Sequence, residues 1–134
     1  MLIAHNPPTI AAPVASYHHG VEVGAGARWL FISGQVGIRP NGEVGRGAAE
    51  QAEILWSNLQ AIIASAGMAL TDLVKIASYV VAAQHIDPLR LVRERVLGSH
   101  KPASTLLIVP ALGRPEWLVE VEAYCAKTAD LGAR

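Results

Sequence analysis

The sequence predicts an α+β domain, a mixed sheet with two helices on one of its faces. Three observations carry that reading. Between Ala48 and Ala66 the apolar residues Ala52, Leu55, Leu59, Ile62 and Ala66 recur every three or four positions, the period of an amphipathic helix. The runs Arg28 to Val36, Leu73 to Ala82 and Leu118 to Lys127 are instead rich in β-branched and aromatic residues. The two kinds of segment alternate along the chain as β, α, β, α, β, so each helix is delivered onto a sheet.

Taken in order, Gly20 to Val23 and Arg28 to Val36 are β-like runs separated by Gly24-Ala25-Gly26, which suits a hairpin or a tight reversal. A second turn follows at Pro40-Asn41-Gly42. Gly67 supplies the left-handed stop of the first helix. Leu73 to Ala82 reads as a central strand. Asp87 is then an N-cap with Pro88 at the first helical position, Leu89, Val92 and Val96 face inward, and Gly98 ends the helix. Two closing strands, around Ser104 to Val109 and Leu118 to Lys127, flank a loop that contains Gly113 and Pro115. In the last strand Glu120 and Glu122 are two residues apart and share one face, while Val119, Val121 and Ala123 point to the other. A face with paired acids and Tyr124 is solvated, salt-bridged or part of a site.

Composition bounds the rest. At 134 residues, 51% hydrophobic and formally neutral, the chain fits one compact globular domain over residues 1–134. No apolar run approaches the roughly 18 residues of a membrane span, and Met1 to Ile10 lacks the charged start and apolar middle of a secretory signal, so a cytoplasmic protein away from membranes is expected. Cys125 is the only cysteine, which excludes an internal disulfide and a cysteine-built zinc site and leaves buried packing as its role. Arg90, Arg93 and Arg95 form the one basic cluster and, with Glu94 among them, read as the solvated side of a helix. With so few lysines and no aromatic–basic interleaving, nucleic acid is not an expected partner.

No metal or cofactor is expected either. His18 and His19 are adjacent and would face opposite ways on a strand, and His5, His85 and His100 fall on termini or loops. Gly24-Ala25-Gly26 precedes no helix and cannot cradle a phosphate. Ser33 lacks the Gly-x-Ser-x-Gly elbow of a nucleophile. Two helices on one side cover a single sheet face, and the opposite face carries Trp29 or Phe31, Tyr79 and Val81. A partner subunit is its simplest cover.

One pattern runs through nearly the whole chain, from about Tyr17 to Ala126. Tyr17 is followed by Gly20-Val21, Ile32-Ser33-Gly34-Gln35, Asn41-Gly42-Glu43, Gln51-Ala52, Asn58-Leu59, Ala66-Gly67, Asp72-Leu73-Val74-Lys75 and Glu120-Val121-Glu122-Ala123. In that order these pieces resemble the Rid family, also called YjgF, the reactive intermediate deaminases. The resemblance implies a chorismate-mutase-like subunit assembled as a homotrimer, with sites in the clefts between neighbouring subunits. It also implies that a glutamate matching Glu120 orients the water that hydrolyses an enamine or imine, and that Tyr17, Ser33 and Gly34 line the cleft.

The family's arginine has no match. In deaminases it follows a Pro-Ala pair and clamps the substrate carboxylate, but here Pro102-Ala103 is followed by Ser104. Serine offers one neutral hydroxyl where arginine offers a planar, permanently charged fork. Three accounts follow. Glu120 hydrolyses a small molecule, with Ser104 and Thr105 as hydrogen-bond donors and Arg114, Lys101 or His100 as alternative sources of charge. Or the trimer binds a metabolite without turning it over. The third account, an endoribonuclease or translation inhibitor, fits the neutral charge balance poorly.

Overall fold

The computed structural model describes residues 2–128, so residues 1 and 129–134 of the expected domain lie outside it. Along the chain run β1 (Leu2–His5), β2 (Gly20–Val23), β3 (Arg28–Val36), α1 (Gly47–Ser65), β4 (Leu73–Val80), α2 (Ile86–Leu97), β5 (Ala103–Ile108) and β6 (Val119–Lys127). The main sheet has the order β3-β6-β4-β5, with β4 and β5 parallel and the other pairs antiparallel. A mixed sheet with two helices is the α+β architecture expected.

Alternation along β6 divides the sheet. Val119, Val121, Ala123 and Cys125 are fully buried in the core, whereas Glu120, Glu122 and Tyr124 between them are only partly covered. Burial also pushes the Cys125 thiol up to about 11, consistent with a packing role. From the helical side α1 contributes Ala52, Leu55, Trp56, Leu59 and Ile63, and α2 contributes Leu89, Val92 and Leu97. The buried stripe of α1 is turned slightly from the one predicted, since Ile62 and Ala66 are partly exposed and Trp56 and Ile63 take their place. Gly67, with φ +69°, ends that turn in the left-handed region where a side chain would be strained. No helix among the described residues is long and apolar enough to cross a membrane.

Three expectations need correction. Gly24-Ala25-Gly26 turns the chain but joins no hairpin, because β2 pairs with β1 and β3 pairs with β6. The β1 strand carries too short an alternation to stand out in the sequence. Asp87 is not the N-cap: a 3-10 turn over Ala83–His85 leads into α2, His85 takes the cap position, and Asp87 sits in the first turn with its carboxylate 3.0 Å from Arg90. His18 and His19 also lie outside any named strand; His18 makes an isolated bridge to Ala103.

Gln51 fixes where β6 begins. This side chain is 2% exposed in α1, donates through Nε2 to the carbonyls of Gly45 (3.0 Å) and Glu116 (2.9 Å), and accepts from the Leu118 amide (2.9 Å). All of its polar atoms are therefore spent on backbone that enters α1 or β6. Gln51→Leu keeps the volume but strands two carbonyls and an amide. The expected loss is about 2–4 kcal/mol in urea unfolding, against under about 0.5 kcal/mol for an exposed control such as Gln60→Leu.

Candidate functional site

The two acids of β6 have different surroundings. Glu122 accepts hydrogen bonds from Tyr79 and, at 3.0 Å, from Tyr124, so both of its oxygens are occupied. The bond to Glu122 holds the Tyr79 hydroxyl up to about 12. Glu120 makes no hydrogen bond or ion pair among the described residues. Burial raises its pKa above the ordinary glutamate value and the neighbouring Glu122 charge raises it further.

Gly34 provides the room for that free carboxylate. Pairing between β3 and β6 slips between Ile32 and Gln35, and the resulting bulge carries Ser33 and Gly34. A Cβ built on Gly34 would lie 2.1 Å from Glu120 Oε2 and 2.7 Å from its Cδ, so the carboxylate rests directly on the glycine backbone. Glu120, Gly34, Tyr79, Glu122, Leu112 and Gly113 border an open recess of about 380 Å³.

The other predicted residues lie elsewhere. Ser104 pairs in register with the buried Ile76 and points to the helical side of β5. There it borders a second recess, of about 290 Å³, with Tyr17, Ile86, Arg90, Arg93 and Leu106. The Tyr17 ring stands edge-on to His19 at 5.9 Å, and its hydroxyl accepts from the Val14 amide at 3.4 Å. Thr105 does not join Ser104, because adjacent strand residues alternate faces; it accepts from Lys75 Nζ at 2.7 Å on the opposite side. Ser33 is exposed on the bulge, with its carbonyl bonded to Gln35 Nε2 at 3.1 Å.

None of the three suggested sources of charge borders the Ser104 recess. The Arg114 guanidinium lies 5.8 Å from the Trp117 ring centroid, on the loop beyond Gly113. His100 bonds the Leu73 carbonyl at 2.8 Å and, with Lys101, His18 and Asp72, borders a separate recess of about 510 Å³. Arg93 does border the Ser104 recess, contrary to its expected place on the solvated side of α2. Only 8% of Arg93 is exposed. The signal was present in the sequence: Leu89, Arg93 and Leu97 are spaced by four, so Arg93 falls on the buried stripe. Arg90 and Arg95 are the solvated members, engaged with Asp87 and Glu94 and with Glu53 respectively.

Within one chain, Glu120 and Gly34 thus stand at one recess and Tyr17 and Ser104 at another. Glu120, Glu122 and Tyr124 share the sheet face away from the helices with Phe31, whose ring meets Tyr124 edge-on at 5.7 Å and stacks on Trp29 at 6.1 Å. Phe31 is 70% exposed, and Trp29, Leu107 and Ile108 are about half exposed. No group of three or more His, Cys, Asp or Glu side chains able to hold a metal occurs among the described residues. Gly34→Ala should displace Glu120 by moving the flexible end of its side chain, with a stability change under about 1 kcal/mol. Carboxyl-carbon NMR should then show the Glu120 pKa falling towards the ordinary value as the group turns to water.

Comparison with known proteins identifies the family and the fold. A relative in Pyrococcus abyssi, named a RutC family protein, is 31% identical over 117 residues, covering 86% of this chain and 89% of the relative. An Escherichia coli protein provisionally named reactive intermediate deaminase TdcF is 25% identical over 120 residues, covering 87% and 90%. Among solved structures, YyfB of Yersinia pestis, a Rid-family protein of unknown function, superposes with a TM-score of 0.83 at 29% identity over 94% of this chain and 98% of that one. The family model described as Endoribonuclease L-PSP matches residues 9–127. The chain accordingly belongs to the Endoribonuclease L-PSP family, the Rid or YjgF proteins.

Proposed function

We propose that this chain hydrolyses a small imine or enamine in a cleft between neighbouring subunits of a homotrimer, with Glu120 activating the water. The observation that carries the reading is the free state of Glu120. Its carboxylate rests on Gly34 without a partner, while the adjacent acid Glu122 is held by two tyrosines. A carboxylate with a raised pKa suits a group that must take up a proton and pass it on. The water oxygen bonds to the imine carbon and its proton passes through Glu120 to the nitrogen. The hydroxyl proton then takes the same route as the C–N bond breaks and C=O forms. Imine and water leave as a carbonyl compound and ammonia.

Two features support a shared cleft. The sheet face that carries Glu120 also exposes Phe31, Trp29 and Leu107, an apolar surface suited to burial against another copy. The residues that the family resemblance gathers into one cleft are split between two recesses of a single chain, as expected when each subunit supplies half of a site. The ribonuclease reading is weakened further. Arg90 and Arg95 are each engaged by carboxylates and Arg93 is withdrawn into a recess, so the three do not form the continuous basic surface that a phosphate backbone requires.

Imines generated in situ by an amino-acid oxidase provide the test. The protein should release ammonia faster than buffer, and Glu120→Gln should slow that release by about a hundredfold or more. The base must be ionised to work, so activity should fall as pH drops through its pKa. With Glu122, Tyr79 and Tyr124 around it, that limb should lie above 4.5 and vanish in the variant. Ammonia release no faster than buffer, with metabolites still raising the melting temperature, would establish the alternative of a non-catalytic metabolite-binding trimer, favoured by Ser104. Light scattering should give three times the chain mass; a monodisperse monomer would remove the shared cleft altogether.

A further inference from the structure

Arg93 is 92% withdrawn from solvent, as its 8% exposure shows, yet it makes no hydrogen bond, ion pair or ring contact among the described residues. Arginine keeps its proton at any working pH, so the group cannot escape the cost of burial by neutralising itself. Buried charges are ordinarily paired. Glu94, the nearest acid in sequence, is engaged 3.9 Å from Arg90, and Asp87 lies 3.0 Å from the same guanidinium. Arg90 is thus directly paired, whereas among the described residues Arg93 has no partner in contact and only the more distant opposite charge of Glu94 acts on it. The unpaired charge borders the recess that also holds Ser104 and Tyr17.

We infer that Arg93 is the anion anchor of this chain, holding the carboxylate of a small aliphatic substrate in the recess between α2 and β5, with the Ser104 hydroxyl beside it. The inference rests on the proposed reading of the site and names its substrate class. A carboxylate fits better than a phosphate because there is one free guanidinium, and its planar fork matches two carboxylate oxygens. At about 290 Å³ the recess has room for a body of a few carbons, which Ile86, Leu106 and Ala15 would line. The cation enters from the helix, and serine at position 104 leaves the strand side open to receive the ligand.

Isobutyrate and its neutral amide isobutyramide separate charge from shape. Titrated into the wild-type protein at low ionic strength and followed by amide NMR shifts, isobutyrate should bind at least about thirtyfold more tightly than the amide, and added salt should narrow the gap. Arg93→Met keeps the apolar stem and should abolish the preference; Arg93→Lys, which keeps the charge but loses the fork, should retain part of it. Equal binding of acid and amide by the wild type, or a preference unchanged in Arg93→Met, overturns the inference. So does an Arg93→Met protein that loses its oligomeric state while Arg93→Lys keeps it without preferring the acid, since the guanidinium would then pair with a neighbouring copy. The assay does not depend on turnover. A wild type that prefers isobutyrate but releases no ammonia upholds Arg93 and defeats hydrolysis, and the reverse outcome does the opposite.

Discussion

Everything at the candidate site depends on β6 being held from both sides. Paired to β3 and to β4, it cannot slip by one residue without exchanging Val119, Val121, Ala123 and Cys125 for Glu120, Glu122 and Tyr124 in the core. Such a slip would bury two carboxylates and expose the centre of the hydrophobic cluster. The Gln51 amide adds a second constraint at the start of the strand by bonding Glu116 and Leu118, just ahead of Glu120. Gly37 lies against the same residue so closely that a Cβ there would meet Gln51 Cα at 2.5 Å. Helix α1, the β3 exit and the β6 entry are therefore locked at one point. The position of the Glu120 carboxylate follows from that lock together with the bulge at Gly34.

The same framework gives neighbouring groups opposite roles. Glu120 and Glu122 share a face and a strand, and a sequence pattern treats them alike. Glu122 lies opposite Ala77, with Tyr79 and Tyr124 close enough to donate to it, and two hydroxyls make it a fixed acceptor. Glu120 lies opposite Tyr79 on one side and Val36 on the other, where the bulge leaves it a bare backbone and no donor. One carboxylate organises the surface and the other stays available. The fixed charge of Glu122 also raises the pKa of Glu120, so the structural acid tunes the free one.

Most of the fold was legible because its signals are periodic. The helix over α1 and the inward and outward residues of β6 follow from spacing, the strands at Gly20 and Arg28 from residue type, and the end of α1 from Gly67. Strand pairing was less accessible. Gly24-Ala25-Gly26 specifies a reversal, yet which strand β3 then joins is decided by burial of Ile32 and Leu30 against β6, a contact almost a hundred residues away in sequence. Arg93 is hidden for a different reason. Its charge suggests solvent, but its spacing from Leu89 and Leu97 puts it on the buried stripe, and a long side chain can bury its stem while delivering a charged head to a recess. Thr105 and Ser104 are alike in chemistry, but the strand period places them on opposite faces.

The Arg93 position also changes what the serine at 104 means. Read as a motif, Pro102-Ala103-Ser104 records the loss of a cation, and the affinity lost with one partner of a buried charged pair is on the order of 2–5 kcal/mol. Read in three dimensions, the recess beside Ser104 still contains an unpaired guanidinium. Holding such a group partly out of water without a partner in contact carries a desolvation cost. A helix packed on the core through Leu89, Val92 and Leu97 can bear that cost in the unliganded chain, and an arriving anion recovers it. Glu120 is partly desolvated and unpaired at the other recess. Were the two charges adjacent within one chain they would neutralise each other as an ion pair. Placed in separate recesses on opposite faces of the sheet, neither is neutralised by the other.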